Sequence, residues 1–198
     1  MPLKFTSILL FLIMASCSTK SKNLHENKTT NSKLNSELNF ENFIVTKGKL
    51  GDIKVGMKIS TIQNLLSKFE VKELEAYEFG FDGGGIAKMY VYKEEPIFAL
   101  IPAYETDSII AIIGLHETLI FESKVKVGLT VKEVLNYYPN CTIEQNLMMG
   151  WEEIYDSKND FILVFKTVEN NQIGKYKDFD TPSKPINLKP KLNWITIL

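Results

Sequence analysis

The chain has 198 residues, with 23 basic and 24 acidic side chains and a formal net charge of −1. Every basic residue is Lys, and a balanced, Arg-free chain lacks the basic excess and the bidentate guanidinium groups that favour nucleic-acid binding. Two cysteines (Cys17 and Cys141) and two histidines (His25 and His116) are too few and too scattered to suggest a disulfide framework or a metal site, so no cofactor or metal is expected.

At the amino terminus Lys4 precedes an apolar run from Phe5 to Ser16, 12 residues long. A bilayer-spanning helix needs about 20 residues, so the run reads as a cleaved signal rather than an anchor. Met14-Ala15-Ser16-Cys17 closes it. This tetrad resembles the lipobox of bacterial lipoproteins, with Met14 where Leu is usual. The resemblance implies cleavage before Cys17 and acylation of its thiol by two or more chains, which hold a protein on a membrane where one chain does not. Ser18 is not the Asp associated with inner-membrane retention, and Ser18-Thr19-Lys20-Ser21-Lys22 has no acidic cluster of the surface-export kind. The expected location is therefore the outer membrane, on its periplasmic face. Loss of Lys4 leaves 22 Lys against 24 acidic residues, a net charge of −2.

Residues 18–42 are rich in Asn, Ser, Thr and Lys and have no apolar period. Such a stretch cannot offset its chain entropy by burial. It reads as a flexible tether, with Phe40 and Phe43 marking entry into a fold. The chain thus divides into a signal peptide at 1–16, the lipidated Cys17 with its tether to 42, and a domain at 43–198.

In that domain, runs rich in Ile, Val, Tyr and Phe predict strands. They are Val71–Phe81, Ile86–Lys93, Ile97–Ile101, Ser108–Leu115, Glu152–Tyr155, Phe161–Val168 and Trp194–Leu198. Turn chemistry separates some of them, at Asp82-Gly83-Gly84-Gly85 and at Ser157-Lys158-Asn159-Asp160. A helical period predicts two helices, one carrying Ile59, Ile62, Leu65, Leu66 and Phe69, the other Val131, Val134, Leu135 and Tyr138. Thr130 with Glu133, and Ser60 with Gln63, form capping-box patterns, and Pro139 stops the second helix.

The two helical stretches follow matching motifs, Ile53-Lys54-Val55-Gly56-Met57 and Val125-Lys126-Val127-Gly128-Leu129. At this offset every apolar position of 53, 55, 57, 59, 62, 65, 66 and 69 meets an apolar or aromatic one, counting Cys141. Gly56 and Gly128 are the expected structural turn residues, free to take positive φ or to allow close backbone approach. The resulting expectation is an α+β fold in two layers, with two tandem repeats of a short helix and an antiparallel meander, at about 43–121 and 122–198.

The doubled turn into a short helix, followed by strands, resembles outer-membrane assembly lipoproteins of the BamE/SmpA type and β-lactamase-inhibitor-protein-like tandem repeats. More closely, it resembles lipoproteins of Bacteroidetes-type bacteria, over roughly residues 50–168. The resemblance implies binding or assembly roles rather than catalysis, and it carries over no binding residue.

The candidate chemistry is thin. Asp82-Gly83-Gly84-Gly85 precedes a strand and not the helix of a phosphate loop, so a hairpin turn is expected. His116 reads as a strand-end residue and Cys141 as a small buried one. Glu94-Glu95 and Glu152-Glu153 are adjacent pairs whose side chains diverge on a strand, unsuited to paired acid–base work. Tyr77, Phe79 and Phe81, and likewise Trp151 and Tyr155, read as packing on a sheet face. The Pro- and Lys-rich segment Glu169–Lys191 is the first candidate for a partner-specific surface, against a solvated insertion. The leading expectation is a non-enzymatic envelope lipoprotein that binds or assembles another protein. The alternative is a small-molecule or glycan-binding lipoprotein.

Overall fold

The structure is a computed structural model, which describes residues 39–82, 85–178 and 181–198. The segment expected to be a signal peptide, Cys17, His25 and nearly all of the expected tether lie outside the described residues. The chain enters the fold at Phe40 and Phe43. Phe40 packs edge-on to Tyr92, and Phe43 packs against Phe69 and Phe98.

Twelve strands dominate the described residues. β1 (Ile44–Thr46), β2 (Lys49–Leu50), β3 (Ile53–Lys54) and β8 (Ile120–Phe121) form a small sheet in the order β3-β2-β1-β8. Its β1–β8 pair is parallel. The remaining strands are β4 (Glu70–Glu75), β5 (Ile86–Tyr92), β6 (Glu95–Pro102), β7 (Ile109–Gly114), β9 (Glu144–Asn146), β10 (Trp151–Asp156), β11 (Phe161–Phe165) and β12 (Trp194–Ile197). They form one eight-stranded sheet in the order β4-β5-β6-β7-β12-β11-β10-β9. Every pair in it is antiparallel. It is two four-stranded meanders joined edge to edge where β7 meets β12.

Side-chain alternation explains the burial. On β6, Phe98 and Leu100 join the larger core on one face, while Ala99 and Ile101 join a second cluster on the other. Ile112 and Ile113 divide in the same way on β7. Central strands buried on both faces have no polar side, which is why Ile97–Ile101 and, apart from the exposed Ile110, Ile109–Ile113 are unbroken apolar runs.

The expected α+β repeat is overturned. The fold is built almost wholly of sheet, and the two predicted helices are turns. Residues 59–69 form a 3-10 helix at Ile59–Thr61 and then successive three-residue turns, with Leu65 N donating to Ile62 O, Leu66 N to Gln63 O and Phe69 N to Leu66 O. Short polar side chains explain the failure to propagate. Thr61 Oγ1 donates to Lys58 O, Ser67 Oγ donates to Asn64 O, and Ser60 is taken by Asp107 rather than by a capping box with Gln63. The second stretch keeps one helical turn, α1 (Val131–Val134), with its Thr130–Glu133 capping box formed. A turn series still places Ile59, Ile62, Leu66 and Phe69 inward, though not Leu65, so the periodicity alone does not distinguish it from a helix.

What the doubled motif builds is a clamped turn. Gly56 and Gly128 have φ of +87° and +88°, and nothing stands within 4 Å of where a Cβ would lie, so conformation rather than close approach is what glycine supplies. Gly56 N donates to Ile109 O, Ile109 N to Met57 O and Ile59 N to Asp107 O. In the second copy Gly128 N donates to Leu192 O, Leu192 N to Leu129 O and Val131 N to Pro190 O. Each turn therefore ties its meander to the start of that meander's last strand. Burial matches too: Ile53, Ile59 and Ile62, like Val125, Val131 and Val134, are buried, while Leu65 and Tyr137 are both exposed.

Other boundaries shift. The Val71–Phe81 run is β4 followed by a 3-10 helix at Ala76–Phe79, so Tyr77 is exposed while Phe79 is buried. Strands β1, β2, β3 and the polar β9 are too short or too hydrophilic to show a period.

Candidate functional site

The connection between β11 and β12, residues 166–193, is held by a buried carboxylate. Glu152 on β10 is 1 % exposed. Its Oε1 accepts from Gly174 N at 2.8 Å and Tyr176 Oη at 2.7 Å, and its Oε2 from Thr167 Oγ1 at 2.6 Å. Ile173 N donates to both oxygens, at 3.0 and 2.7 Å. A buried carboxylate is costly unless its lone pairs are met, and here loop N–H and O–H groups meet them. Burial, and then the Glu152 carboxylate, push the Tyr176 hydroxyl well above its ordinary pKa. Tyr176 folds back over Gly174 to reach Glu152. A Cβ on Gly174 would lie 2.6 Å from the Tyr176 ring and 2.8 Å from Ser183 Cβ.

Further along, Ser183 and Ile143 exchange two backbone hydrogen bonds of 2.9 Å, and Ser183 Oγ accepts from Lys175 N. Lys184 Nζ donates to the carbonyls of Asn140 and Cys141. Leu188 O and Pro190 O accept from Lys132 N and Val131 N, satisfying the first amides of α1. The described part of this segment is thus an anchored loop rather than a loose insertion. Ile186 (64 % exposed) and Leu188 stand on its outer side. An open, mainly polar cavity of about 540 Å³ in the loop's surface is lined by Gln145, Asn170, Gln172, Lys175, Tyr176 and Ile186.

Glu153, the neighbour of Glu152, is also buried and faces the other way, accepting from Trp151 Nε1, Asn146 Nδ2 at 2.8 Å and Tyr155 Oη at 2.6 Å. The two carboxylates do not meet, and each is occupied by structural donors. On the same side Trp151 and Trp194 pack edge to face at 4.9 Å, with Lys166 Nζ over both rings. Tyr155, read from sequence as packed, is exposed.

The first meander carries a second feature. Two open cavities of about 880 and 730 Å³ lie side by side along β4 and β5, sharing Ile59, Glu73 and Lys88. Asp107 borders the larger one. The hydroxyl and amide of Ser60 donate to its carboxylate and hold it below the usual carboxyl range. Tyr90 floors the smaller one, and burial pushes its hydroxyl up to about 12.

The remaining sequence candidates are dispersed. His116 Nδ1 pairs with Thr118 Oγ1 at 2.8 Å in an exposed turn. Cys141 is half-buried, and burial raises its thiol pKa against the pull of Lys184. Gly83 and Gly84 of the expected hairpin turn lie outside the described residues. Among the described residues no group of three or more His, Cys, Asp or Glu is placed to hold a metal ion, and no helix is long and apolar enough to cross a membrane. Sequence reasoning missed Glu152 as an anchor. Its signal was weak, a charged pair inside a strand-like run, and its partners lie up to 24 residues away.

No family model matches the chain, and no curated protein does. Among solved structures it is similar to the uncharacterized protein yfeY from Escherichia coli, with a TM-score of 0.46 and 11 % identity, covering 78 % of this chain and 96 % of that one. At that score the likeness carries no argument about fold or function.

Proposed function

We propose that the protein is a lipid-anchored envelope protein whose domain binds another protein through the outer side of the 166–193 loop. The observation that carries this reading is the Glu152 anchor. An irregular loop, left to itself, samples many conformations. A buried carboxylate that accepts from Ile173 N, Gly174 N, Tyr176 Oη and Thr167 Oγ1 holds it in one. Preorganisation of this kind lowers the ordering cost of binding, and the loop presents Ile186 and Leu188 outward. The lipobox-like Cys17 supports the anchor and Ser18 the outer membrane. The mainly polar cavity lined by the loop favours a second reading, a small polar ligand such as a glycan fragment.

A photo-crosslinking residue at position 186, in cells carrying the full chain, is expected to trap one discrete protein, and the adduct is expected to fade in Glu152→Ala. A ladder of unspecific adducts would sink the protein-binding reading. A glycan fragment that raises the melting temperature, without any adduct, would favour the second. Cys17→Ala is expected to abolish acyl labelling and to release the protein from membranes. Unchanged membrane fractionation would remove the anchor.

A further inference from the structure

The two meanders of the large sheet end differently at matching places. At the offset that aligns the two clamped turns, Val71 corresponds to Ile143 and Glu73 to Gln145. Strand register then pairs Glu73 with Lys88, and Gln145 with Glu152, so Lys88 stands where Glu152 does. In the second meander the long loop covers this place. Ser183 adds to the edge at Ile143 through two backbone hydrogen bonds, and Ile143 is fully buried. In the first meander the equivalent connection between β6 and β7 is only residues 103–108. Val71 is 45 % exposed, and among the described residues no strand pairs with the outer side of β4. The two open cavities lie along this uncovered place.

We propose that the groove along β4 docks an extended segment of a partner polypeptide, which adds to β4 as the chain's own residues around Ser183 add to Ile143. The protein's second half shows the form of the occupant. By the same register the N–H and C=O of Val71 turn outward, as those of Ile143 do. Main-chain bonds to an edge strand supply affinity, and alternate side chains supply specificity. Leu66, Phe69, Val71 and Tyr90 make the floor apolar, so the segment carries apolar residues at alternate positions. Where Glu152 takes N–H and O–H donors, the Lys88 ammonium takes an acceptor. Its exposed contact with Glu73, at 3.8 Å, is of a kind that contributes little. The segment therefore differs from the chain's own loop in bringing an acidic side chain to Lys88. This groove is separate from the 166–193 loop and stands whether or not that loop binds a partner.

The test is selection from a phage-displayed library of random peptides against the full chain. Selected peptides are expected to alternate apolar residues around an acidic one and to slow amide exchange at Glu70–Glu75. They are expected to bind Val71→Pro and Lys88→Glu roughly tenfold more weakly, the worth of about one hydrogen bond or contact, and Ile186→Asp unchanged. Proline is tolerated on edge strands, and Lys88→Glu leaves the backbone intact should the proline variant fail to fold. A library that yields no binder, binders that protect residues 166–193 instead, or full binding to both variants overturns the proposal. So does protection of β4 in the unliganded chain, whether it disappears on deleting residues 18–38 (the tether as occupant) or grows with protein concentration (a second copy as occupant).

Discussion

Glu152 converts a strand position into a fastening for a segment far along the chain. Its removal leaves two amides and two hydroxyls without their acceptor. At about 1–3 kcal/mol per orphaned buried group, partly relieved by water entering the loop, Glu152→Ala is expected to cost at least about 3 kcal/mol in chemical denaturation. Gly174→Ala is expected to loosen the same contact by displacing Tyr176, and to speed amide exchange at Ile173 and Gly174 without disturbing β5 or β6. Asp156 sets a pH dependence. Burial opposes its ionisation, but hydrogen bonds from Tyr138 Oη, Asn159 Nδ2 and the amides of Asn159 and Lys158 outweigh burial and hold its carboxyl below the usual value. A depressed folded-state value means stabilisation present above the unfolded Asp value, near about 4, and lost as pH falls through the folded one. Asp156→Asn should therefore be less stable at neutral pH and show a shallower acid-side decline. Identical pH profiles would refute this.

At the scale of elements, the doubled Val-Gly motif is the most legible piece of the sequence, and its product was misread. Gly56 and Gly128 act through positive φ alone, with no neighbour near a Cβ. Gly56→Ala and Gly128→Ala are each expected to cost about 1–2 kcal/mol from left-handed strain, measurable as a lowered melting temperature, whereas a D-alanine at either position should be tolerated. Thr130→Ala should cost about 1 kcal/mol by breaking the capping box. The helical period holds as a burial pattern at Ile59, Ile62, Leu66 and Phe69, which are buried, and fails at Leu65, which is exposed. It did not report backbone conformation, because Ser60, Thr61 and Ser67 bond locally or to Asp107 instead of supporting a helix. β9 went unread because Glu144-Gln145-Asn146 has no apolar residue.

At the scale of the whole molecule, β12 is the seam. It pairs with β7 of the first meander and β11 of the second, and Ile195 and Ile197 enter the larger core. That core draws residues from both meanders, among them Phe98, Ile112, Ile154 and Leu163. A shared core and a shared seam favour one cooperative transition. Calorimetry is expected to show a single unfolding peak, and a chain ending at Asn193 is expected to lose both meanders together. Two resolved peaks would mean that the halves stand independently.

By itself the sequence determined local matters: most strand runs, the doubled turn and the Thr130–Glu133 cap. Each depends on residues within a few positions of one another, where side-chain type constrains backbone directly. Only the tertiary structure decided that the helical period wraps as turns, that Glu152 is buried under a loop, and that the place corresponding to it in the first meander lies open along β4. Those outcomes depend on which distant segment comes to lie on which strand. Sequence spacing does not record that choice, because strand order and hydrogen-bond register make it.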